Sequence, residues 1–274
     1  MIRKRIKPAA NKNAVNKKVA SKPIKGKSRS VIRPKTRPPV DRSPKGISRE
    51  AKNPFYNVKS WKNAYEGEVC FLLGNGPSLK GMDLTVLDDY FTIGCNRIFK
   101  MYDPNILMWQ DYSLWAKEKK GVLSCSSIKI CRTTSNGRVP INGSMGEYAY
   151  FNLSKRQHKL TDSPDQLYGR GSSGPLMYEF ARSLGFTTIV LLGMDCKKLE
   201  GISDFYGDNP QHKKQTLPQC VAGLDFIKKN SVDVTIINCS KNDVFDISVS
   251  LTEALESLSS PTKKTRVEWN EKLV

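Results

Sequence analysis

Several residue patterns are missing from this chain, and each absence excludes a class of protein. Only two of its 274 residues are histidine, His158 and His212, so a metal centre with several histidine ligands is excluded. No apolar run reaches the roughly 18 residues that a membrane-spanning helix needs. The basic N-terminus lacks the apolar core of a secretory signal. We therefore expect a cytoplasmic protein without a transmembrane segment.

The cysteines show neither a pairing pattern nor a metal-ligand pattern. They are odd in number, and no two of them form a C-x-x-C pair. Most lie in apolar, strand-like runs, where cysteine behaves as a small buried apolar residue. This pattern favours reduced, buried thiols over a disulfide framework or a zinc site. The seven are Cys70, Cys95, Cys125, Cys131, Cys196, Cys220 and Cys239.

Aromatic residues are absent from the first 52 positions, which carry a dense positive charge instead. Residues 1–52 hold 18 Lys and Arg residues against two acidic residues and are rich in Pro, Ser and Asn. Such a segment cannot bury enough apolar surface to offset its chain entropy, so we expect a disordered basic arm. Its cations suit a nucleic acid or another polyanion, since phosphate backbones attract charge without base stacking. An anionic membrane surface, or a solvated tail that only aids solubility, is the alternative.

Downstream of the arm, short apolar runs alternate with amphipathic segments. This alternation predicts an α/β domain at residues 53–258, with a Rossmann-like, mainly parallel sheet and helices on both faces. The stretch 132–172 is polar and irregular, and residues 259–274 are expected to form a frayed C-terminal tail. The strand-like runs are 69–73, 91–95, 106–109, 128–131, 188–192 and 234–237, and the helical segments are 176–184, 217–227 and 247–258.

Small and polar residues follow the ends of these predicted strands. In an open parallel sheet, ligands bind in the crevice outside the carboxyl ends of the strands. Gly74 and Gly76 have no Cβ, so their turn lets the backbone approach a ligand closely, and its free amides can face an anion. We therefore predict a ligand site at this edge of the sheet. The other candidates are Asn75, Ser78, Asn96, Asp111, Ser172, Ser173, Gly174 and Asp195.

The turn from Gly74 to Ser78 matches neither common phosphate-binding motif. Pro77 follows Gly76, and Leu79 stands where the Gly-x-Gly-x-x-Gly fingerprint has its third glycine. No Gly-Lys-Ser/Thr follows, which excludes a Walker loop. An ordinary role as a turn residue or helix cap stays open for each candidate.

Two stretches of the sequence resemble known nucleotide-binding proteins. Residues 70–79 (CFLLGNGPSL) and 93–97 (IGCNR) resemble the front half of the small bacterial sialyltransferase family, which uses a CMP-sugar donor. Together with Asp111, residues 172–174 (SSG) and residues 192–195 (LGMD), they are also similar to the hydroxymethylpterin pyrophosphokinase-like superfamily, which includes many phage-encoded proteins. The likeness extends over roughly residues 67–240 and does not indicate which of the two reactions the protein catalyses.

The sialyltransferase-like resemblance implies a role for each matching position. The 74–76 turn would lie against the donor phosphate and ribose, and Asn96 would hydrogen-bond the nucleotide. Ser172 and Ser173, at a helix N-terminus, would hold the phosphate with help from the helix dipole. In those transferases a histidine acts as base on the acceptor and tyrosines stabilise the departing phosphate. The candidates here are His212 and Tyr206, in the loop after residue 195.

Three functions remain open on the sequence. We favour inverting transfer of a sugar from a CMP- or UDP-linked donor, in which the arm brings the enzyme to a polyanionic acceptor such as phage DNA. The first alternative is a Mg²⁺-dependent diphosphokinase, in which Asp111 and Asp195 bind the metal and His212 is dispensable. The second is a non-catalytic nucleic-acid or virion-associated binding protein. A phage-encoded chain would act in the host cytoplasm.

Overall fold

The short apolar runs form parallel strands in the computed structural model of this chain, which describes residues 55–133, 148–154, 158–168, 171–209, 212, 214–258 and 261–273. The basic arm predicted at residues 1–52 lies outside these ranges. The strands are β1 (Phe55–Tyr56), β2 (Val69–Leu73), β3 (Phe91–Cys95), β4 (Ile106–Trp109), β5 (Ile128–Arg132), β6 (Tyr148–Ser154), β7 (Gln166–Tyr168), β8 (Thr188–Leu192) and β9 (Thr235–Asn238).

The strand order places a reversal of direction beside β2. Across the sheet the order is β1-β6-β5-β4-β3-β2-β8-β9, and β7 pairs with β6. Each of these pairings is parallel. The chain runs outward from β2 through β3, β4 and β5, and later returns to β8 on the other side of β2. A reversal of this kind opens a crevice at the carboxyl ends of the strands, where α/β proteins bind ligands.

Helices cover both faces of the sheet, as the alternating pattern predicted. Adjacent residues of β2 belong to different hydrophobic clusters: Leu72 packs with α2, α3 and α5, and Phe71 packs with α1 and α4. The α/β, Rossmann-like prediction is therefore confirmed. No helix within the described ranges is long and apolar enough to cross a membrane. The helices are α1 (Tyr112–Ser124), α2 (Ser173–Ser183), α3 (Thr216–Asn230), α4 (Leu251–Ser257) and α5 (Arg266–Asn270).

The C-terminal segment packs against the sheet, so the expectation of a frayed tail is wrong for residues 261–273. Trp269, in α5, and Leu273 are each 1% exposed. The Tyr65 hydroxyl donates to the Trp269 carbonyl, and Trp61 Nε1 donates to the Leu273 carbonyl at 2.9 Å. Thr265 begins α5 with a capping box. These long-range contacts hold the segment in place.

Two of the seven cysteines form a disulfide, which corrects the expectation of reduced thiols throughout. Cys196 and Cys220 are bonded, with their Cα atoms 5.4 Å apart. Their sequence spacing gave no sign of the pairing, because α3 brings them together only in the fold. The other five cysteines are buried thiols, as predicted. Burial raises the pKa of the Cys95 thiol to about 12, so this thiol is inert at neutral pH.

Candidate functional site

A cleft of about 370 Å³ opens at the carboxyl ends of the central strands. The turn after β2, the ends of β3 and β4, the loop after β8, and the N-termini of α2 and α3 line it. Eleven of the twelve candidate residues line this cleft, and Ser78 is the exception. The eleven are Gly74, Asn75, Gly76, Asn96, Asp111, Ser172, Ser173, Gly174, Asp195, Tyr206 and His212.

The glycines of the turn after β2 pack closely against the turn after β8. Gly74 N donates to the Leu192 carbonyl at 2.8 Å, and Gly76 N donates to the Gly193 carbonyl at 2.7 Å. A Cβ at residue 74 would lie 2.2 Å from the Gly193 oxygen. A Cβ at residue 76 would lie 2.4 Å from Asp195 Oδ2. The missing side chains are therefore required by packing inside the protein, and not only by the approach of a ligand.

Asn75 links three loops through its side chain and its backbone carbonyl. Its Nδ2 donates to the Cys95 carbonyl at 2.9 Å, and its Oδ1 accepts from Arg97 N at 3.1 Å. Its carbonyl accepts from Phe205 N at 2.8 Å. Asn75 thus ties the β2 turn to the end of β3 and to the loop after β8. In this position it organises the cleft wall.

The two aspartates that were candidates for a metal site have different surroundings. Asp195 is 1% exposed, and its two oxygens accept from Ser78 N and Lys241 N, both at 2.8 Å. Asp111 is exposed at the N-cap position of α1, where its side chain makes no capping hydrogen bond. Within the described ranges, no group of three or more His, Cys, Asp and Glu residues could hold a metal ion. Through its two hydrogen bonds Asp195 braces the turn after β2 against the segment that follows β9.

Three polar side chains meet at the N-terminus of α2. Ser173 Oγ accepts from Asn96 Nδ2 at 3.4 Å and from Gln110 Nε2 at 3.3 Å. Ser172 occupies the N-cap position without a side-chain capping bond. The first amides of a helix and its dipole favour an anion at this end. The arrangement offers hydroxyl, amide and backbone donors to one phosphate-sized group.

Tyr206 is held by a cation and an amide. Its hydroxyl accepts from Arg97 Nη1 at 3.3 Å and from Asn209 Nδ2 at 3.1 Å. The Arg97 guanidinium lies 5.4 Å from the ring centroid, and Arg97 Nε donates to Glu118 at 2.7 Å. Burial raises the pKa of Tyr206 to about 12, although the hydrogen bond from Arg97 opposes the rise. The hydroxyl is therefore protonated at neutral pH and can donate a hydrogen bond into the cleft.

His212 lies beside a buried carboxylate in the same loop. Its Nε2 is 3.7 Å from Oδ2 of Asp204, and a quarter of its side-chain surface is exposed. Its Nδ1 is buried and has no hydrogen-bond partner among the described residues. Asp204 is 4% exposed. The second histidine, His158, is exposed and is not part of the described cleft lining.

Among the polar cleft residues that sequence reasoning missed, four make the contacts described above. Arg97, Gln110, Asp204 and Asn209 all line the cleft. Arg97 directly follows a candidate residue, and Asp204 and Asn209 lie in the loop that carries both catalytic candidates. Their positions were therefore visible in the sequence. Their burial and contacts were not, since these depend on how the loop packs.

The disulfide closes the segment that contains the catalytic candidates. Cys196 and Cys220 both line the cleft. Tyr206 and His212 lie between them in sequence, in the 24-residue separation that the bond spans. The disulfide therefore joins the start of the loop after β8 to α3, the helix that follows this loop.

Comparison with known proteins finds solved structures that are similar to this chain, but no match by sequence. No protein-family model matches the chain, and no curated protein matches it. It is similar in structure to the sialyltransferase CstII from Campylobacter jejuni in complex with the substrate analogue CMP-3FNeuAc. That match has 17% identity and a TM-score of 0.40, and covers 72% of this chain and 91% of that chain.

Two further complexes of the same enzyme give similar values. The complex of CstII from Campylobacter jejuni with cytidine-5'-monophosphate is 16% identical, with a TM-score of 0.41, and covers 76% of this chain and 99% of that chain. The complex of sialyltransferase CST-II with a trisaccharide acceptor and CMP is 14% identical, with a TM-score of 0.39, and covers 76% and 100%. At these identities and scores, the likeness does not assign an activity to this chain.

Proposed function

We propose that this protein is a glycosyltransferase that moves a sugar from a CMP- or UDP-linked donor to an acceptor hydroxyl with inversion. The observation that carries this proposal is one cleft that joins two features. The first is an anion-binding helix N-terminus at Ser173. The second is a loop that presents Tyr206 and His212. The resemblance of residues 70–79 and 93–97 to the sialyltransferase family supports the same reading.

The donor phosphate is proposed to lie at the N-terminus of α2. Ser173, Asn96 and Gln110 converge there, with distances of 3.3–3.4 Å between their polar atoms. The backbone amides of the first helical turn add donors and a favourable dipole. The β2 turn at 74–76 forms the neighbouring wall, where the resemblance implies contact with the ribose.

The proposed chemical step is a single displacement at the anomeric carbon of the sugar. His212 removes the proton from the acceptor hydroxyl while the acceptor oxygen forms its bond to that carbon. The bond from the same carbon to the phosphate oxygen breaks, and the nucleotide leaves with the bonding electron pair. Tyr206, which keeps its proton at neutral pH, donates a hydrogen bond to the departing phosphate.

The surroundings of Asp195 favour transfer over the diphosphokinase alternative. Its two carboxylate oxygens each accept a backbone N–H, and the residue is 1% exposed. A magnesium site needs carboxylate oxygens that can face the nucleotide phosphates. Asp111, the second proposed ligand, is exposed and lines the cleft, so its carboxylate can face a bound nucleotide. The diphosphokinase alternative is therefore left with one accessible carboxylate, and the Mg²⁺ dependence of turnover decides between it and transfer.

The part of the cleft lining that the structure describes contains one cationic side chain. Arg97 is the one Lys or Arg among the described residues that line it. Its guanidinium is held by Glu118 and by Tyr206. We propose that a nucleic-acid partner binds through the arm, residues 1–52, and that the acceptor is a hydroxyl compound.

Donor turnover tests the proposal. The full-length protein is incubated with CMP- and UDP-linked sugars in EDTA, and release of the nucleotide is measured, with water as the surrogate acceptor. We expect release without a divalent cation, and a fall of about 10²–10⁴ in His212→Asn with donor affinity preserved. His158→Asn is the matched control and should behave as wild type. Wild-type turnover in His212→Asn, or an absolute requirement for Mg²⁺, would contradict the proposed mechanism.

A further inference from the structure

The loop that carries His212 also buries a carboxylate next to it. Asp204 Oδ2 lies 3.7 Å from His212 Nε2, and the Asp204 side chain is only 6% exposed. Ser203 Oγ donates to the same oxygen at 2.9 Å. The separation from the imidazole is longer than a hydrogen bond, as contacts in ligand-free active sites often are. The pair is close enough for the carboxylate to orient the ring.

We propose that Asp204 is a positioning residue that holds a proton on Nε2 of His212 and so leaves Nδ1 as the proton acceptor. This inference rests on the proposed function, because it assigns the atom through which His212 would act. In a neutral imidazole one nitrogen carries the proton and the other has a free lone pair. A carboxylate beside Nε2 favours the proton on that atom.

The unpartnered nitrogen of His212 is the second observation. Nδ1 is buried without a hydrogen-bond partner among the described residues. Buried polar atoms in native proteins are nearly always satisfied, so an orphan requires a reason. A lone pair that waits for the proton of an acceptor hydroxyl supplies one. His212 lines the cleft, and Nδ1 must become exposed there for the hydroxyl of a bound acceptor to reach it.

The titratable groups around Asp204 affect its pKa and therefore the pH range in which its carboxylate attracts Nε2–H of His212. Burial raises the pKa of the Asp204 carboxyl above its usual value, and the charge of His212 opposes the rise. Tyr206 and Cys95 also face it, and both keep their protons at neutral pH. As the pH falls through the raised pKa, the carboxyl takes a proton and loses its attraction for Nε2–H. The tautomer preference should therefore weaken as the pH falls.

The tautomer of His212 can be read directly by NMR. The chain contains two histidines, so ¹⁵N-histidine labelling gives two ring systems, and a His158→Gln variant assigns them. At about pH 8.5, above the usual histidine pKa near 6.5, we expect the Nε2–H tautomer of His212. In Asp204→Asn and Asp204→Ala, the ratio of Nε2–H to Nδ1–H should fall by about tenfold, which is within the range expected for loss of a charge about 4 Å from the ring. Asp204→Glu should restore the preference in part.

Glu200→Gln is the matched control for charge. It removes one negative charge from the same loop, and the Glu200 side chain is exposed and outside the described cleft lining. We expect its His212 tautomer to match the wild type. A wild-type ratio in both Asp204→Asn and Asp204→Ala, or an Nδ1–H tautomer in the wild type, would overturn the proposal. Because the measurement needs no donor and no turnover, its failure is distinct from failure of the proposed function.

Discussion

Packing inside the protein requires glycine at position 76. Its backbone has φ −61° and ψ 153°, which any residue can adopt, so conformational freedom is not the reason for glycine. A Cβ there would lie 2.4 Å from Asp195 Oδ2 and 2.7 Å from the Gly193 oxygen. Neither neighbour can move easily, because the Gly193 oxygen is backbone and Asp195 is held by two amides.

We therefore expect Gly76→Ala to destabilise the whole fold. The extra methyl group should lower the free energy of unfolding by about 1–3 kcal/mol, as overpacking typically does. Gly174→Ala is the matched control, since its Cβ would meet Met194 Sδ at an ordinary 3.4 Å. Urea unfolding of both variants checks the prediction. Equal stability of the two would show that the turn after β2 has room for a side chain.

For individual residues, the sequence indicated candidates for the site from their positions along the chain, but it did not indicate which of them are buried. Ser173 could be proposed because it lies in a turn that opens a predicted helix, and His212 because it lies in the loop after residue 195 of a chain with only two histidines. Asp204 could not be separated from Asp208, four residues later, since both are acids in one polar loop. In the structure Asp204 is 4% exposed beside His212, whereas Asp208 pairs with Lys198 at the surface. Burial of this kind depends on tertiary packing, which local sequence does not encode.

Among the elements, six of the nine strands were predicted from the sequence, whereas strands β1, β6 and β7 and helices α1 and α5 were not. Runs such as 69–73 are continuously apolar because both faces of a parallel strand are buried. The five-residue α5 buries mainly Trp269, which gives too short a pattern to indicate a packed helix. Its partner, Tyr65, lies 204 residues away in sequence. Strand β6 was missed for a similar reason, since polar residues surround its buried Ala149 and Phe151.

The disulfide between the loop after β8 and α3 makes a prediction at this scale. Reduction should lower the free energy of unfolding by about 3–4 kcal/mol, from the chain entropy that a closed loop of this length removes. Thermal unfolding with and without dithiothreitol measures the change. Cys220→Ser should be insensitive to the reductant. Thiol counting in denaturant should give five free thiols before reduction and seven after it, and seven before reduction would contradict the bond.

For the whole molecule, we expect the basic arm to strengthen binding to DNA and to change the melting temperature little. Deletion of residues 1–52 should leave the melting temperature nearly unchanged, because the segment has too few apolar residues to bury a core. The same deletion should weaken binding to DNA and flatten its salt dependence, since fewer counterions are released. Fluorescence titration with labelled DNA at several salt concentrations measures both effects. Equal DNA affinity of the truncated and full-length proteins would remove the arm as the anchor.

The central claim is that the cleft binds the nucleotide of a sugar donor at the N-terminus of α2. The most direct test is the shift in melting temperature on addition of CMP, UDP, GDP or ATP in EDTA. A ligand that binds only the native state stabilises it by RT ln(1 + [L]/Kd), about 2.7 kcal/mol at a hundredfold excess over Kd. We predict a clear upward shift with CMP or UDP that is lost in Ser173→Asp, because the new carboxylate repels the phosphate. The shift should be kept in Ser60→Asp, whose exposed side chain lies outside the described cleft lining. No shift with any of the four nucleotides, or an unchanged shift in Ser173→Asp, would contradict the claim.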